Sequence, residues 1–354
     1  MTYIHRIGTA VPPHIYTQET ALQEMLAVLP LSEVEARKTK MIYRNSGIEK
    51  RHTALPNFFT HFQQDPQPNV ADRMQWFQEY APPLCVEAIE NCLPPNFDKQ
   101  KITHLITVSC TGLAAPGLDI ELINLLKLPT NIYRTSVNFM GCYAAFHALK
   151  HADLICQTDD KANVIIVCVE LCTLHLQLKA DDDNTRANLL FADGAAAAFL
   201  SKDTQYFNEE SLKINKFYAD IVTKGDNDMA WHIAPSGFLM KLSAYIPQLV
   251  EENIESLLLA ALQHTQITKE EIFQWAIHPG GKKIVENAAK ALQLDNEQLT
   301  ASYQTLKDYG NMSSATILFV LQTVAKADKT PEKPYIFAVG FGPGLTMESM
   351  LLER

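Results

Sequence analysis

The 354-residue chain has no basic surplus: 40 acidic side chains stand against 30 basic ones, for a formal net charge of −10. That excludes general nucleic-acid binding, which needs a strong positive excess, and attraction to anionic lipid surfaces. There is no Cys-x-x-Cys pair, and the seven cysteines are odd in number. A disulfide framework is therefore excluded, and the thiols read as the reduced cysteines of a cytoplasmic protein. No window approaches the roughly 18 consecutive apolar residues of a membrane-spanning helix. The N-terminal MTYIHRIGTAVPP lacks an apolar stretch of signal-peptide length. Short-period repeats and low-complexity tracts are also missing.

What is present is an ordinary globular composition, 47% hydrophobic and 20% charged. The length has room for two domains at roughly 100–200 residues each. Short β-branched runs predict strands at 104–109, 163–170, 195–200, 274–278 and 335–339. Amphipathic stretches predict helices at 117–126, 142–156, 246–264, 282–292 and 313–326, the first preceded by Pro116. This alternation favours an α/β fold. Two polar stretches interrupt it. Residues 56–69 read as a long surface excursion, and residues 202–228 as a joint between two halves, which places a boundary near residue 205.

Several residues could carry chemistry. Cys142 follows Gly141 where an irregular stretch gives way to a helical pattern. A thiol at a helix N-terminus has a lowered pKa, and nearby amides can hold an oxyanion; the alternative is a buried cysteine filling space. His278 ends a strand and enters His-Pro-Gly-Gly, at the sheet edge where α/β folds bind ligands. Asn311 could cap a turn or polarise a carbonyl as a neutral amide donor. Gly340-Phe341-Gly342-Pro343-Gly344 lacks the spacing of a dinucleotide fingerprint or a P-loop but could bring backbone close to a ligand. His147 and His151 read as a solvated helix face, Asp181–Asp183 as a solvated loop, and Cys168 and Cys172 as core thiols. None of these completes a metal site.

Taken together, Gly-Cys at 141–142, His-Pro-Gly-Gly at 278–281, Gly-Asn-Met-Ser-Ser at 310–314 and Gly-Phe-Gly-Pro-Gly-Leu-Thr at 340–346 resemble the type III polyketide synthases, the chalcone synthase-like enzymes. IGTAVPP near the N-terminus and Phe-Ala-Asp-Gly-Ala at 191–195 are similar to further family segments, and Cys-Thr-Gly at 110–112 resembles bacterial members. The resemblance implies a thiolase-like fold, two related αβαβα halves in an α/β/α/β/α arrangement, here residues 1–205 and 206–354, acting as a homodimer. It implies a catalytic triad in which Cys142 holds the growing chain as a thioester. His278 would keep that thiol ionised and, with Asn311, bind the malonyl thioester carbonyl during decarboxylation. No separate cofactor or metal is implied. The substrates are malonyl-CoA and an acyl-CoA starter, with acyl carrier protein as the other starter carrier.

Phe191 matches a gatekeeper aromatic, with Met240 at the second gatekeeper position. The Gly340–Gly344 loop, Cys110 and Ala115 are expected at the substrate pocket; the family sends the residue before Pro116, here Ala115, into the partner subunit's pocket. Cys110 and the small Ala114 and Ala115 leave room for an aliphatic starter. Lys38, Arg44, Lys282 and Lys283 are the expected coenzyme A contacts, whereas Met41 and Asn45 are uncharged where the family carries charge. Two other readings stay open: a single-condensation β-ketoacyl synthase III-like enzyme, and a non-catalytic acyl-binding subunit.

Overall fold

The computed structural model describes residues 1–64, 67–225, 228–327 and 334–354. The strands are β1 (Tyr3–Ala10), β2 (His14–Thr17), β3 (Lys50–Thr53), β4 (His104–Ser109), β5 (Tyr133–Asn138), β6 (Val164–Leu171) and β7 (Asp193–Ser201). They continue with β8 (Leu212–Ile221), β9 (Met229–Ala234), β10 (Gly237–Leu242), β11 (Ile272–Ile277), β12 (Tyr335–Gly342) and β13 (Thr346–Glu353). The helices begin with α1 (Gln18–Val28), α2 (Glu33–Arg44), α3 (Phe58–Phe62), α4 (Val70–Cys92), α5 (Leu118–Leu126) and α6 (Ala144–Thr158). After them come α7 (Asp182–Leu190), α8 (Ile246–Leu262), α9 (Lys282–Leu292), α10 (Thr300–Tyr309) and α11 (Thr316–Lys326).

Nine strands form one sheet in the order β11-β12-β13-β8-β1-β7-β6-β4-β5. Read outward from its middle, β8-β13-β12-β11 repeats the pattern of β1-β7-β6-β4. In each set two antiparallel pairs lead into a parallel pair. The two sets join where Tyr3 and Ile4 pair with Lys213 and Leu212, and residue 205 lies in the link between β7 and β8.

Apolar clusters show how the layers stack. One face of the β4-β6-β7 set, with Leu105, Ile165, Val167 and Phe199, packs on α4 and α5. The opposite face, with Ile106, Val108 and Ile166, meets α6 and α11, which also cover Ala276, Ile336 and Ala338 of the second set. Beyond these, Trp275, Ile277, Phe337 and Val339 pack on α8 and α9. The result is α/β/α/β/α, with α6 and α11 as the middle layer. α11 is apolar nearly all round, as suits a helix between two sheets, whereas α6 keeps His147, Lys150 and His151 on a polar side. A close approach fixes α4 on β1: a β-carbon on Gly8 would fall 2.3 Å from the Ala88 carbonyl oxygen.

Two sequence expectations need correction. The stretch 56–69 is not wholly a surface excursion, because its apolar spacing forms α3 and buries Phe58 and Phe62; residues 65–66 lie outside the described residues. The stretch 202–228 contains β8, a central strand whose solvent-side polar residues hid its pattern; residues 226–227 lie outside the described ones. Among the described residues no helix is long and apolar enough to cross a membrane.

Candidate active site

The two middle helices begin beside the same cavity. Cys142 stands just ahead of α6, on a loop where Phe139 (φ 60°) and Gly141 (φ 86°) both adopt left-handed conformations. A β-carbon on Gly141 would lie 2.2 Å from Pro343 Cδ, so only glycine fits between the cysteine loop and the loop after β12. The Gly141 amide donates to Cys110 Sγ at 3.0 Å. Asn311 and Ser313 stand in the equivalent position ahead of α11, with Ser313 again left-handed (φ 46°). Strained backbone of this kind collects at functional sites.

His278 follows β11, its amide donating to the Val339 carbonyl at 2.8 Å. Its side chain is buried and, among the described residues, both ring nitrogens lack a partner. Asn311 Oδ1 accepts from the Ser313 amide at 2.8 Å, so its Nδ2 faces the other way, toward the Gly280 carbonyl at 3.4 Å. The backbone of Asn311 is laced to the Phe191 segment: its amide donates to the Leu190 carbonyl, and its carbonyl accepts from Ala192, both at 2.9 Å.

Cys142, His278 and Asn311 line one cavity of about 30 Å³, room for a water-sized group. Cys110, Cys172, Phe191, Met240, Phe341 and Pro343 share its wall, together with Trp231 and Ser313. Burial pushes the Cys142 thiol up to about 12, against the partial pull of hydrogen-bond donors on Ser313 and Asn311. Burial also holds the His278 imidazole down at about 3. Each shift disfavours the charged form of its group taken alone. The helix starts two residues later, at Ala144, and desolvation outweighs what its end supplies.

Ala115, the residue expected in the partner subunit's pocket, is exposed and lines a cavity of about 460 Å³ between α4, α5 and the ends of β4 and β5. Two expectations are corrected. Gly340 and Gly342 do not line the catalytic cavity. They give way to Phe146 and Tyr143, where β-carbons would fall 2.7 and 2.5 Å away. Gly344 likewise stays outside the cavity wall. Lys282 and Lys283 line a 300 Å³ cleft that shares Leu242, Gly280 and Ile284 with the catalytic cavity and so forms its mouth. Lys38 and Arg44 do not line it, Lys38 being paired with Asp182 at 2.6 Å. Arg186 joins the mouth instead, alongside the uncharged Met41 and Asn45.

The remaining sequence motifs settle as follows. Asp181 caps α7. His147 lies 3.3 Å from the buried Glu348. Cys168 is core, but Cys172 lines the cavity. Sequence reasoning missed Glu170, the last residue but one of β6 and fully buried. It accepts from the Cys110 amide (3.0 Å), Thr111 Oγ1 (2.8 Å) and Ser314 Oγ (2.5 Å), tying both cavity-bearing loops together. Burial raises its pKa. The available signal was a lone carboxylate closing an otherwise apolar strand. Trp231 had no signal of its own. Among the described residues no group of three or more His, Cys, Asp or Glu could hold a metal ion.

Comparison with known proteins agrees with this architecture. Residues 1–204 match the N-terminal domain of chalcone and stilbene synthases, and residues 213–354 the C-terminal domain. The alpha-pyrone synthesis polyketide synthase-like Pks18 of Mycobacterium tuberculosis is 28% identical over 357 residues, covering 99% of this chain and 90% of the relative. The crystal structure of PKS-I from the brown alga Ectocarpus siliculosus superposes with a TM-score of 0.92 at 29% identity, covering 100% of this chain and 98% of that one. The type III polyketide synthase domain of Steely1 from Dictyostelium gives 0.89 at 26% identity, covering 100% and 99%. The chain belongs to the chalcone and stilbene synthase family and is a type III polyketide synthase, an acyltransferase that joins coenzyme A thioesters by Claisen condensation.

Proposed function

We propose that Cys142 carries the growing chain and that His278 and Asn311 drive decarboxylation. The observation that supports this is the convergence of the three side chains, from three separate segments, on one cavity with a cationic mouth. As Cys142 attacks the starter thioester, its proton passes to His278, which returns it to the departing coenzyme A thiolate. Neither group has to hold charge alone in a dry cavity. His278, neutral again, donates a ring N–H to the malonyl thioester carbonyl, and Asn311 Nδ2 donates beside it. The bond to the malonyl carboxylate then breaks, CO2 leaves, and the electron pair enters an enolate held by those donors. The enolate carbon attacks the Cys142 thioester, forming the new carbon–carbon bond and expelling the thiolate. The β-ketoacyl product, now on coenzyme A, reloads for the next round.

Phe191 and Met240 are the gatekeepers of this reading, and Lys282, Lys283 and Arg186 bind the coenzyme A phosphates. Release as an α-pyrone, the chemistry in the mycobacterial relative's name, suits so closed a cavity: a distal enol oxygen attacks the thioester carbonyl and frees the cysteine. A homodimer is supported by the edge strand β5, exposed at five of six positions. The seven free cysteines fit a cytoplasmic setting. The test incubates enzyme with malonyl-CoA and hexanoyl-CoA, measuring CO2 and product masses. Wild type should give both CO2 and products with two or more malonyl units. Chain formation by Cys142→Ala would overturn the assignment, and a single malonyl unit throughout would favour the one-step condensing enzyme. An equimolar hexanoyl-acyl carrier protein arm identifies the starter carrier.

A further inference from the structure

Behind the gatekeepers lies a second chamber, also of about 30 Å³, which shares Cys172, Phe191, Trp231 and Met240 with the catalytic cavity as a common wall. Its far side is polar. Most of the polar groups there are already engaged. Thr173 Oγ1 donates to Asp193, Gln177 Nε2 to the His175 and Ser236 carbonyls, Asn184 Nδ2 to Asp181, and Asn188 Nδ2 to the Gln177 carbonyl. His175 uses both ring nitrogens, toward the Thr111 carbonyl and the Phe238 amide. Two buried donors there have no partner among the described residues, Arg51 Nε and the Tyr16 hydroxyl. Arg51 is 2% exposed and Tyr16 8%, and the guanidinium sits 4.8 Å over the Tyr16 ring.

Among the described residues no carboxylate is bonded to Arg51. Its Nη1 donates to the carbonyls of Asn188 and Phe191, both at 2.7 Å. Asp193 is the nearest acid in effect, but its oxygens are occupied by the Thr173 amide and hydroxyl and the Ala54 amide. A buried guanidinium and a buried phenol, both with a donor to spare, form a receptor for an anionic oxygen. Met240 stands in the shared wall, an unbranched side chain able to change rotamer and open a way from Cys142.

We propose that this chamber binds an anionic oxygen at the far end of the acyl chain held on Cys142. This rests on the reading of Cys142 as the chain carrier and adds a substrate class to it. The oxygen has two chemical sources: the terminal carboxylate of a dicarboxylic starter, or the enolate of a 1,3-diketone at the leading end of a chain begun from acetyl. Donation from Arg51 Nε and the Tyr16 hydroxyl is the shared recognition.

The experiment compares wild type, Tyr16→Phe and Arg51→Met with hexanoyl-CoA, adipoyl-CoA (the same length ending in carboxylate) and acetyl-CoA, each with malonyl-CoA. Tyr16→Phe removes only the hydroxyl and keeps the ring under Arg51, so it stays informative if Arg51→Met misfolds. For a dicarboxylic starter, the adipoyl-to-hexanoyl ratio of kcat/KM falls about tenfold in the variants, the loss of one hydrogen bond to a charged group. For the enolate, that ratio holds and the number of malonyl units added to acetyl drops instead. If Tyr16→Phe alters neither the ratio nor the chain length, the proposal is overturned. Absence of CO2 release from malonyl-CoA in wild type, by contrast, fails the type III assignment itself.

Discussion

Gly141 concentrates the demands of the site in one residue, being left-handed and pressed against Pro343 while its amide points at Cys110. Gly141→Ala should cost about 2–4 kcal/mol in denaturant unfolding, from backbone strain together with the Pro343 clash. It should lose condensation even where the fold survives. Cys142→Ala keeps the decarboxylation donors and loses the nucleophile, so CO2 should still form from malonyl-CoA while no starter is loaded, as seen by radiolabelled acyl-CoA. Cys110 has two duties, lining the cavity and accepting from Gly141. Cys110→Ser, which keeps an acceptor, should retain condensation. Cys110→Phe should shift products to shorter starters, since each buried CH2 contributes about 0.8 kcal/mol. An unchanged product spectrum for Cys110→Phe would place this residue outside the chain's path.

At the scale of elements, the β9–β10 hairpin brings Trp231 and Met240 to the cavity, and His175 latches it. The ring stacks on Phe238 at 4.2 Å and accepts from the Phe238 amide at 3.0 Å. Burial holds its pKa down at about 3, far below the ordinary 6.5. An opened hairpin returns the imidazole to its ordinary value, so opening takes up a proton once pH falls below 6.5. The latch is at full strength above that pH and weakens as pH falls toward 3, by about tenfold per unit. Hydrogen exchange at Phe238, corrected for intrinsic rate, should show this slope, and His175→Gln should abolish it.

The same hairpin marks the limit of what could be read from sequence. Strands such as β4 and β6 announced themselves by unbroken β-branched runs, and α9 by its amphipathic spacing, because both bury one consistent pattern. The strands β8, β9 and β10 are half-exposed and alternate irregularly, while α4 carries Pro82 and Pro83 inside it. Their structure comes from neighbours far away in the chain. Cys142, His278 and Asn311 were legible because each stands beside glycines that a turn requires. Arg51, Glu170 and Trp231 lie inside plain strands, where spacing says nothing of the space they face.

For the whole molecule, β5 ends the nine-stranded sheet, its outer edge unpaired among the described residues and Tyr133 73% exposed; Leu113 and Leu125 are exposed as well. Such an edge invites pairing with another copy. Sedimentation at micromolar concentration should give a dimer, and Val137→Pro on this strand should shift it toward monomer.

The repeat within the sheet has a different consequence. Cys142 belongs to the first strand set and His278 and Asn311 to the second, so chemistry depends on how two similar bodies sit against each other along α6 and α11. A slip of an ångström between them would leave each body folded and the enzyme silent. Turnover is thus a gauge of internal docking. Under rising urea it should fade before far-ultraviolet circular dichroism changes, with the native secondary structure outlasting the alignment that made it catalytic.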